Sequence, residues 1–318
     1  AQARSGIPPE TGERVWEMMA AFAGYGFPKA HAASYAQVAW RSAWCKTHFP
    51  AEFMAAVLAN WGGYYSQRVY LSEARRLGLK VRPPHVNYSG RHFIVCREPQ
   101  ALFMGLDQVK NLTRRTFERI IQYRPYHSLD HFLSQVDPRP QELESLAMAG
   151  ALDGLGKIPA IIRRARGGGW QAGQLSLFAW ADENEADWTL EQKMRGQQAV
   201  LGISVEVHPL ELAAAQIRQR GAISLQEATE QMGRRVTVAG VRQTSHRGKT
   251  AKGEAMLFLT LEDLAGMMDV VIFPDLYRQV RNLIHTSAPL LVSGRMEMDS
   301  ARGEPYLRAE RVVEIHLP

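Results

Sequence analysis

The spacing of apolar residues changes once along this chain, at about Arg234. Before that point apolar side chains recur every three or four residues, as at Val15, Met19 and Phe22, which is the period of an amphipathic helix. After it they alternate with polar residues in short runs, which is the period of a half-buried strand. The chain is therefore predicted to be an α+β multidomain protein, with a mostly helical part followed by a β-domain.

Residues 234–318 are predicted to form a barrel. Five short strands with one helix between the third and fourth strands are typical of the OB-type fold, a five-stranded β-barrel. The predicted strands are 236–241, 256–261, 268–273, 290–295 and 306–313, and the predicted helix is 274–284.

Glycine and proline divide the helical part into short pieces. Residues 167–187 begin with three glycines and continue as a polar, acidic stretch, so they are the best linker candidate in the chain. Two or three further helices follow, up to residue 231. The breaks between the earlier helices are 24–28, 62–63, 78, 109–113 and 148–156, with an extended segment at 81–84 and short strands at 92–96 and 101–104.

Charge is distributed unevenly along the chain. The net charge is +6, but residues 1–166 hold 22 Lys and Arg against 13 Asp and Glu, a net charge of +9, and residues 167–233 carry −5. A basic first half fits a polyanionic partner such as nucleic acid, and a surface that is only solvated is the alternative.

The cysteines and the N-terminus bear on the cellular compartment. Cys45 and Cys96 form no CxxC pair, so neither a disulfide framework nor a cysteine metal site is predicted. The first residues lack the apolar core of a signal peptide, and no run of 18 apolar residues occurs. We therefore expect a cytoplasmic protein without a membrane partner. Because the chain starts at Ala1 rather than Met, we also expect it to begin inside a longer one.

A glycine-rich turn leads into a helix at 24–36, and Lys29 and His31 stand among the first helical residues. The start of a helix beside a cation can hold a phosphate group. The alternative is a solvated lysine and a capping histidine.

Two helix–turn–helix units in 105–156 suggest paired helix-hairpin-helix modules, whose tight turns direct backbone N–H groups at DNA phosphates. The first turn holds Asn111-Leu112-Thr113 where glycine, an apolar residue and glycine are usual. Asn tolerates the left-handed region, whereas β-branched Thr does so poorly, so packing competes with phosphate contact as the role of this turn. The DNA-binding candidates of this region are Lys110, Asn111, Arg114 and Arg115.

A long first loop is predicted in the barrel, at residues 245–254, and it is basic. Such barrels bind single strands with a basic groove and stacking aromatic side chains. The DNA-binding candidates here are Arg247, Lys249 and Lys252. Phe258, Phe273, Tyr277 and Tyr306 are available for stacking, although core packing is the simpler role for them.

The linker contains an apolar motif, Gln174-Leu175-Ser176-Leu177-Phe178. An apolar pair in a polar segment has no local core, so it is a candidate for binding a groove on a partner. The alternative is that Leu177 and Phe178 fold back onto nearby helices.

No catalytic constellation is found in the sequence. Metal-dependent phosphoryl transfer needs clustered carboxylates that hold two cations, and no Asp-x-Asp pair occurs. The patterns GxSxG and HExxH are also absent. No catalytic residue and no metal ligand is therefore predicted in this chain.

Taken in order, these motifs resemble the C-terminal half of a bacterial C-family DNA polymerase, the DNA polymerase III α subunit. The resemblance covers nearly all of the chain. The matching stretches are FAGYGFPKAHAASYA at 22–36, HFPAEFMAAVLAN at 48–60, LGLKVRPPHVNYSGRHF at 77–93, GLDQVKNLT at 105–113, LESLAMAGALDGLG at 143–156, QLSLF at 174–178, LGISVEVHPL at 201–210, and the barrel stretches VAGVRQ, GEAMLFLTLED and DVVIFPDLY.

The resemblance implies four parts: the C-terminal part of the fingers at 1–100, a tandem helix-hairpin-helix DNA-binding region at 101–166, a linker and clamp-binding tail at 167–233, and an OB nucleic-acid-binding domain at 234–318. It implies template-directed addition of deoxynucleotides by the longer protein. The Mg²⁺ ligands of such an enzyme are palm aspartates, which would precede Ala1. This chain alone is therefore expected to bind no cofactor and to be inactive.

The resemblance also implies roles for single residues. Lys29 and His31 match the fingers motif, which places them beside the incoming triphosphate. The motif at 174–178 is similar to the family's sliding-clamp motif, with Gln174, Leu175, Leu177 and Phe178 as contacts. The expected partners are primer-template DNA, single-stranded DNA and the bacterial sliding clamp, with accessory subunits of the polymerase as further candidates.

An end shortly after the barrel, together with the stretches 62–76 and 247–263, is similar to the error-prone, lesion-bypass subfamily, which we favour over the replicative one. A replicative α-subunit fragment stays an alternative, and so does a non-catalytic DNA- and clamp-binding fragment. A remodelling factor that joins the same two modules is a third alternative, but such a factor has no need of the fingers motif.

Overall fold

The computed structural model describes residues 8–23, 29–60, 63, 65–170, 173, 186–250, 252–283, 288–299 and 303–316. The chain divides into two compact units, residues 1–53 and 54–318. None of the helices among the described residues is long and apolar enough to cross a membrane.

The first unit is helical. It contains α1 (Pro9–Ala23) and α2 (Lys29–His48), and α3 (Pro50–Ala59) begins in it. No residue of α2 is buried, although its C-terminal turn makes a small aromatic cluster in which Trp44 packs against His48 and Phe49 at ring-centre distances of 4.7 and 5.6 Å. The predicted helical character of this region is therefore confirmed for 9–23 and 29–48.

The second unit continues with a helix and a small sheet. Its elements are α4 (Gln67–Arg76), β1 (Val81–Arg82), β2 (Ile94–Arg97) and β3 (Gln100–Phe103). The strand order is β1-β3-β2, with β1 parallel and β2 antiparallel to β3. The predicted extended segment and both predicted short strands are thus confirmed to within two residues.

Four helices form the centre of this unit. Their buried faces follow the three- and four-residue apolar spacing, and Ile120, Phe132, Leu133, Leu143 and Leu146 are almost fully buried. The helices are α5 (Arg114–Tyr123), α6 (Leu129–Val136), α7 (Pro140–Ala149) and α8 (Ile158–Gly167).

Four further helices lead to the barrel: α9 (Leu190–Leu201), α10 (Pro209–Leu212), α11 (Ala214–Gln219) and α12 (Leu225–Thr229).

The segment after α9 is held by Gln197, a buried residue of that helix. Its side-chain amide donates to the Ala149 carbonyl at 3.4 Å and its oxygen accepts from the Val205 amide at 2.8 Å. Val205 in turn accepts from the Arg75 guanidinium at 2.5 Å. These contacts join α9, α7 and α4 into one body.

The predicted OB-type barrel is confirmed. The strands β4 (Arg235–Lys249), β5 (Ala255–Glu262), β6 (Met267–Ile272), β7 (Leu290–Met298) and β8 (Pro305–Glu314) close in the order β4-β5-β6-β8-β7. The helix α13 (Pro274–Val280) lies between the third and fourth of them, as predicted.

Alternation along the strands builds the barrel core. Val238, Leu259, Val270, Val292 and Leu307, one from each strand, are completely buried. The side chain of Val280 from α13 belongs to the same cluster. The strand that carries Gly294 passes so close to its neighbour that a Cβ on that glycine would lie 2.1 Å from the Arg308 carbonyl oxygen, so only glycine fits there.

The prediction of a long loop at 245–254 is wrong. Strand β4 continues to Lys249, with Ser245 opposite Leu259 and Lys249 opposite Ala255, and only a short turn remains. The segment RQTSHRGK has no apolar alternation, so the sequence alone carried no strand signal there. Pairing with the strongly apolar β5 supplies the missing order, because an added backbone ladder satisfies groups that a loop would leave to water.

Candidate nucleic-acid interface

The first hairpin (residues 109–113) comes before α5. Asn111 has a φ of 67°, in the left-handed region that Asn tolerates. Thr113 has a φ of −79° and is the N-cap of α5. The expected strain at a β-branched residue therefore does not arise, because the turn needs the left-handed conformation at Asn111 and not at Thr113.

A carboxylate near the start of α7 holds the first hairpin in place. Glu142, which is 2% exposed, accepts from the Thr113 amide at 2.8 Å and from the Thr113 hydroxyl at 2.6 Å. It also accepts from the Thr116 hydroxyl at 2.8 Å and from the Arg139 amide at 2.8 Å. The amide of Thr113 thus points into the protein and is not available to a phosphate.

The pKa of Glu142 is lowered from its ordinary value. Burial by itself would raise it, but the hydrogen bonds donated by Thr113, Arg139 and Thr116 together outweigh burial. Hydrogen bonds to a charged carboxylate are among the strong ones in proteins. Glu142 is therefore a charged residue whose hydrogen bonds link the start of α5 to the start of α7.

The predicted DNA-binding residues of the first hairpin all have partners within the chain. Lys110 donates to the Ala199 carbonyl at 2.8 Å, and Asn111 donates to the Ser145 hydroxyl at 3.4 Å. Arg114 pairs with Glu118 at 2.6 Å and Arg115 pairs with Asp137 at 2.7 Å. The two arginines are exposed, so their ion pairs are weak and exchangeable. The structure brings these four residues to one end of α5, and their DNA contact stays a prediction.

The second hairpin (residues 150–157) lies between α7 and α8. Gly150 and Gly154 have φ values of 83° and 77°, a conformation that favours glycine. The turn is anchored to the body from two sides. The Val86 amide donates to the Ala151 carbonyl at 3.0 Å, and the His85 Nε2 lies 3.1 Å from the Asp153 carbonyl oxygen.

The second hairpin also meets a carboxylate, and sequence reasoning missed it. The Asp187 Oδ1 accepts from the Ile158 amide at 3.0 Å, and its Oδ2 pairs with Lys193 Nζ at 2.7 Å. Burial alone would raise the pKa of Asp187, but hydrogen bonds from Lys193 and from the Ile158 and Trp188 amides lower it. The start of α8 favours a negative charge, and Asp187 supplies one.

A sequence signal for the second hairpin does exist. Gly154-Leu155-Gly156 is the glycine–apolar–glycine pattern that the first hairpin lacks, and it stands directly before a helix. The partner Asp187, in contrast, is 29 residues away from Ile158. No local pattern could have connected the two.

The barrel offers a cleft on the side of β5 and β6. Its volume is about 850 Å³. The lining comes from the barrel, from α12, and from α4 with the segment before it. The lining residues are Tyr65, Ser66, Val69, Thr229, Gln243, Thr244, His246, Thr260, Met267, Met268, Asp269, Glu304 and Pro305. This mixture of polar and apolar side chains suits a strand whose bases stack and whose sugars and phosphates bond to polar groups.

The aromatic ring of His246 lines the cleft, and other aromatic side chains lie elsewhere on the barrel. The rings of His246 and Phe258 are stacked, with centres 4.8 Å apart and planes 9° apart. Phe273 lies under the Arg308 guanidinium at 4.9 Å, and Tyr306 donates to the Glu297 carboxylate at 2.7 Å. Phe258, Phe273 and Tyr306 are half-buried, as is Tyr277, so they do not lie fully in the core.

The basic residues predicted on the barrel lie at the end of the β4–β5 hairpin. Arg247 and Lys249 are on strand β4 and Lys252 is in the turn, and all three are exposed. Among the described residues, none of the three side chains has a hydrogen bond or an ion pair. They form a positive tip beside His246, and their contact with DNA stays a prediction.

The remaining predicted site residues fall elsewhere. Lys29 and His31 are exposed in the first turn of α2, in the unit 1–53, as the sequence predicted, and the glycine-rich turn 24–28 before them lies outside the described residues. Gln174, Leu175, Leu177 and Phe178 also lie outside the described residues. In the part of the chain that is described, no group of three His, Cys, Asp or Glu side chains could hold a metal ion.

Two family models match the second unit. Residues 78–160 match a helix-hairpin-helix motif, and both hairpins described above fall within that range. Residues 236–315 match an OB-fold nucleic acid binding domain, which is the barrel.

The relatives with similar sequences are DNA polymerases. The error-prone DNA polymerase of Corynebacterium efficiens is 33% identical over 91% of this chain, which is 27% of that protein. The DNA polymerase III subunit alpha of Thermus aquaticus is 34% identical over 92% of this chain and 26% of its own length. The Pseudomonas aeruginosa DNA polymerase III subunit alpha is 29% identical over 98% of this chain and 30% of its own length. The chain thus spans between a quarter and a third of the length of the relatives it matches.

Similar solved structures cover much less. An asparaginyl-tRNA synthetase from Pyrococcus horikoshii matches 30% of this chain and 23% of its own, at 20% identity and a TM-score of 0.24. A score that low carries no argument about function.

Proposed function

We propose that this chain is the part of a bacterial DNA polymerase III α-type, DNA-directed DNA polymerase that holds nucleic acid. The observation that carries the proposal is one compact unit that joins a helix-hairpin-helix region to an OB barrel. Relatives that match more than nine-tenths of the chain and are all named as DNA polymerases support it.

The two modules have complementary tasks in this proposal. The helix-hairpin-helix region contacts the phosphates of duplex DNA and so sets its position without reading its sequence. The barrel cleft, with its stacked His246 and Phe258 and the basic tip at Arg247, Lys249 and Lys252, binds the single-stranded template.

The helix α2 contributes residues that bind the incoming nucleotide. Lys29 and His31 are exposed in its first turn, where backbone N–H groups and a lysine together suit a triphosphate. In the longer protein these two residues would hold the triphosphate while the primer 3′-hydroxyl attacks.

Chemistry itself is assigned to residues outside this chain. Mg²⁺ would neutralise the triphosphate and activate the attacking oxygen, but the described residues do not provide a cluster that fits it. The present chain therefore binds and positions DNA and nucleotide.

The clamp motif adds a further partner to the proposal. Gln174 would bond to backbone groups at the mouth of a groove on the bacterial sliding clamp, and Leu177 and Phe178 would fill it. Burial of two such side chains is worth roughly 1.5–3 kcal/mol each before ordering costs, so the contact by itself should be about micromolar. Titration of the clamp with Leu177→Ala/Phe178→Ala should give no heat, and binding equal to wild type by a folded double variant would contradict the motif.

Within the family we favour the error-prone subfamily, on the resemblance of 62–76 and 247–263. Overall identity does not separate the two classes, since an error-prone polymerase at 33% and a replicative subunit at 34% are equally similar. Comparison of the longer protein's bypass of a template lesion with its copying of undamaged template tests this point. Arrest at the lesion would favour the replicative alternative.

The central test is DNA binding as a function of salt. Affinity for primed and single-stranded DNA, measured by fluorescence anisotropy, should fall steeply with salt because phosphate contacts release counterions. A flat dependence, or no binding at about 50 mM salt, would contradict the proposal. Primer extension by this chain alone, in Mg²⁺ or Mn²⁺, should be absent, and extension that follows the purified chain would overturn the assignment of catalysis elsewhere.

A further inference from the structure

A second cavity lies between α4 and the barrel, next to the cleft already described. Its volume is about 540 Å³. Its lining residues are Ser66, Gln67, Arg68, Gln198, Leu201, Gly202, Ile203, Arg242 and Gln243. It shares Ser66 and Gln243 with the barrel cleft, and these two side chains approach each other at 3.4 Å, so the two cavities meet at that contact.

Two guanidinium groups of the same charge line this cavity. Arg68 and Arg242 are both half-buried. The Arg242 guanidinium donates to the Ser245 hydroxyl at 3.5 Å, and the Arg68 guanidinium has no hydrogen bond to any of the described residues. Burial lowers the pKa of Arg68; the Glu262 carboxylate opposes that shift, and the charge of Arg242 adds to it. Partial burial of two neighbouring guanidinium groups costs desolvation free energy, and a bound anion would offset that cost.

The protein does not supply enough negative charge for them. Glu262 is the nearby carboxylate, and it is completely buried. It accepts from the Gln243 amide; burial raises its pKa, and hydrogen bonding from Ser72 and the charges of Arg68, Arg76 and Arg75 oppose that shift. One carboxylate is thus set against several guanidinium groups. Arg75, which also faces this carboxylate, is half-buried and bonds to a backbone carbonyl. The charge balance of the cavity wall is therefore positive.

The remaining wall supplies neutral donors. Gln67, Gln198 and Gln243 bring side-chain amides. One N–H of Gln67 donates to Gln108 at 3.0 Å and one of Gln243 donates to Glu262, so each of these two amides keeps a second N–H. The Ser66 hydroxyl donates to Gln243 at 3.4 Å. Gln67 and Arg68 also belong to the first turn of α4, whose backbone dipoles add to the positive potential of the two arginines. Guanidinium groups with flanking amides form the donor set that recognises phosphate.

We propose that this cavity binds a backbone phosphate of the DNA strand that occupies the barrel cleft. The occupant is a phosphate of that strand because the two cavities share the wall at Ser66 and Gln243. A strand in the first cavity would therefore bring its next phosphate to the second. The inference rests on the proposed function, since it needs DNA on the barrel. It assigns Arg68 and Arg242 as phosphate contacts in addition to the exposed basic tip.

The test uses the full chain and a primed template, whose duplex end fixes the register of its single-stranded overhang. The double variant Arg68→Gln/Arg242→Gln should bind about tenfold more weakly, with a salt dependence reduced by about 0.7 for each lost phosphate contact on a single strand. Arg220→Gln is the matched control, because Arg220 is an exposed arginine of the same unit and should leave both quantities unchanged.

A second measurement identifies the phosphate. Templates that carry one neutral methylphosphonate, moved along the overhang, should bind wild type several-fold more weakly at one or two adjacent positions. The double variant should not respond at those positions. The charge-conserving variant Arg68→Lys/Arg242→Lys, whose melting temperature checks folding, should keep most of the salt dependence.

The results of these binding and melting experiments separate the phosphate assignment from its alternatives. Wild-type affinity, salt dependence and methylphosphonate profile in the double variant would overturn the inference. If inorganic phosphate raises the melting temperature of wild type but not of the double variant, and the methylphosphonate profile is flat, the cavity holds a free anion and the strand assignment is wrong. A wild-type chain that binds no DNA would contradict the proposed function, whereas DNA binding that ignores both arginines would contradict this inference alone.

Discussion

At both hairpins of the helix-hairpin-helix region, a carboxylate accepts a hydrogen bond from a backbone amide at the start of a helix. The two carboxylates differ in their burial and in their position along the chain. At the first, Glu142 is buried and receives four hydrogen bonds from the start of α5 and the start of α7. At the second, Asp187 reaches the start of α8 from the last position of the predicted linker and keeps about a third of its side chain exposed. The first carboxylate is part of the fold, whereas the second occupies a surface position that an external anion could take.

The difference bears on how each hairpin meets DNA. The Thr113 amide of the first hairpin donates to Glu142, so under the proposed function we expect that hairpin to contact phosphates through exposed side chains such as Arg114 and Arg115. The Ile158 amide of the second hairpin is bound by a carboxylate that water also reaches. Under the proposed function we expect a DNA phosphate to replace Asp187 there at modest cost, because exposed ion pairs contribute little free energy.

Removal of the buried carboxylate should have the largest effect. Glu142→Ala leaves the Thr113 and Arg139 amides and two hydroxyls without acceptors, and an unsatisfied buried donor costs about 1–3 kcal/mol. We expect the free energy of unfolding to fall by about 3–5 kcal/mol, measured by urea denaturation. Glu144→Ala on the same helix, which loses only the exposed pair with Arg166, should cost less than about 1 kcal/mol. Equal losses of unfolding free energy in the two variants would show that the hydrogen bonds of Glu142 stabilise the fold no more than an exposed ion pair does.

Removal of the exposed carboxylate should act in the opposite direction on DNA affinity. Asp187→Asn takes away a competitor for the start of α8, so we expect primed DNA to bind about three- to tenfold more tightly, while the free energy of unfolding falls by about 1 kcal/mol. Anisotropy titration measures the first and urea denaturation the second. Glu230→Gln removes the same charge at another exposed position and serves as the control. Weaker binding by Asp187→Asn would mean that the second hairpin, like the first, needs its carboxylate.

The exposed arginines of the first hairpin should have a smaller effect. Arg114→Ala and Arg115→Ala each remove one candidate phosphate contact, so we expect the salt dependence of duplex binding to fall by about 0.9 per contact and affinity to fall a few-fold for every DNA sequence. Their ion pairs with Glu118 and Asp137 are exposed, so stability should hardly change. A loss limited to one DNA sequence would contradict a phosphate role.

The pH dependence should distinguish the two carboxylates most finely. The folded-state pKa values of Glu142 and Asp187 are both lowered, so their stabilisation is complete above their unfolded values, about 4.3 and 3.9, and is lost as pH falls through the folded ones. The stability difference between wild type and Glu142→Gln should therefore shrink below about pH 4. The same comparison for Asp187→Asn should change less, because that side chain is more exposed. A difference that stays constant down to acid pH would mean that Glu142 is not charged in the folded protein.

Much of the fold could be predicted because it rests on local patterns. The alternation after residue 234 predicted five strands and a helix in their observed order, since every barrel strand has one buried face. Prolines and glycines marked most helix ends. The prediction failed at residues 245–249, where the strand is held by its neighbour and has no apolar face of its own.

The candidate site was less predictable, since its contacts join residues that are far apart in sequence. The candidate residues of the first hairpin were found from their spacing, but their partners were not: Thr113 meets Glu142 across 29 residues, and Arg115 meets Asp137 across 22. The cavity with Arg68 and Arg242 lies between a helix and a strand that no motif connects.

The sequence by itself determined the kind of protein: the change of apolar period, the turn residues and the ordered motifs specify a helical region and a barrel, because these depend on neighbours along the chain. Tertiary structure decided which polar groups are available to a ligand. A backbone amide or a guanidinium is available to DNA only if no buried carboxylate of the same chain holds it, and that depends on which distant residues folding brings within about 3 Å. At the first hairpin the tertiary structure turns the Thr113 amide inward to Glu142, whereas at the cavity beside the barrel it leaves Arg68 and Arg242 facing open space.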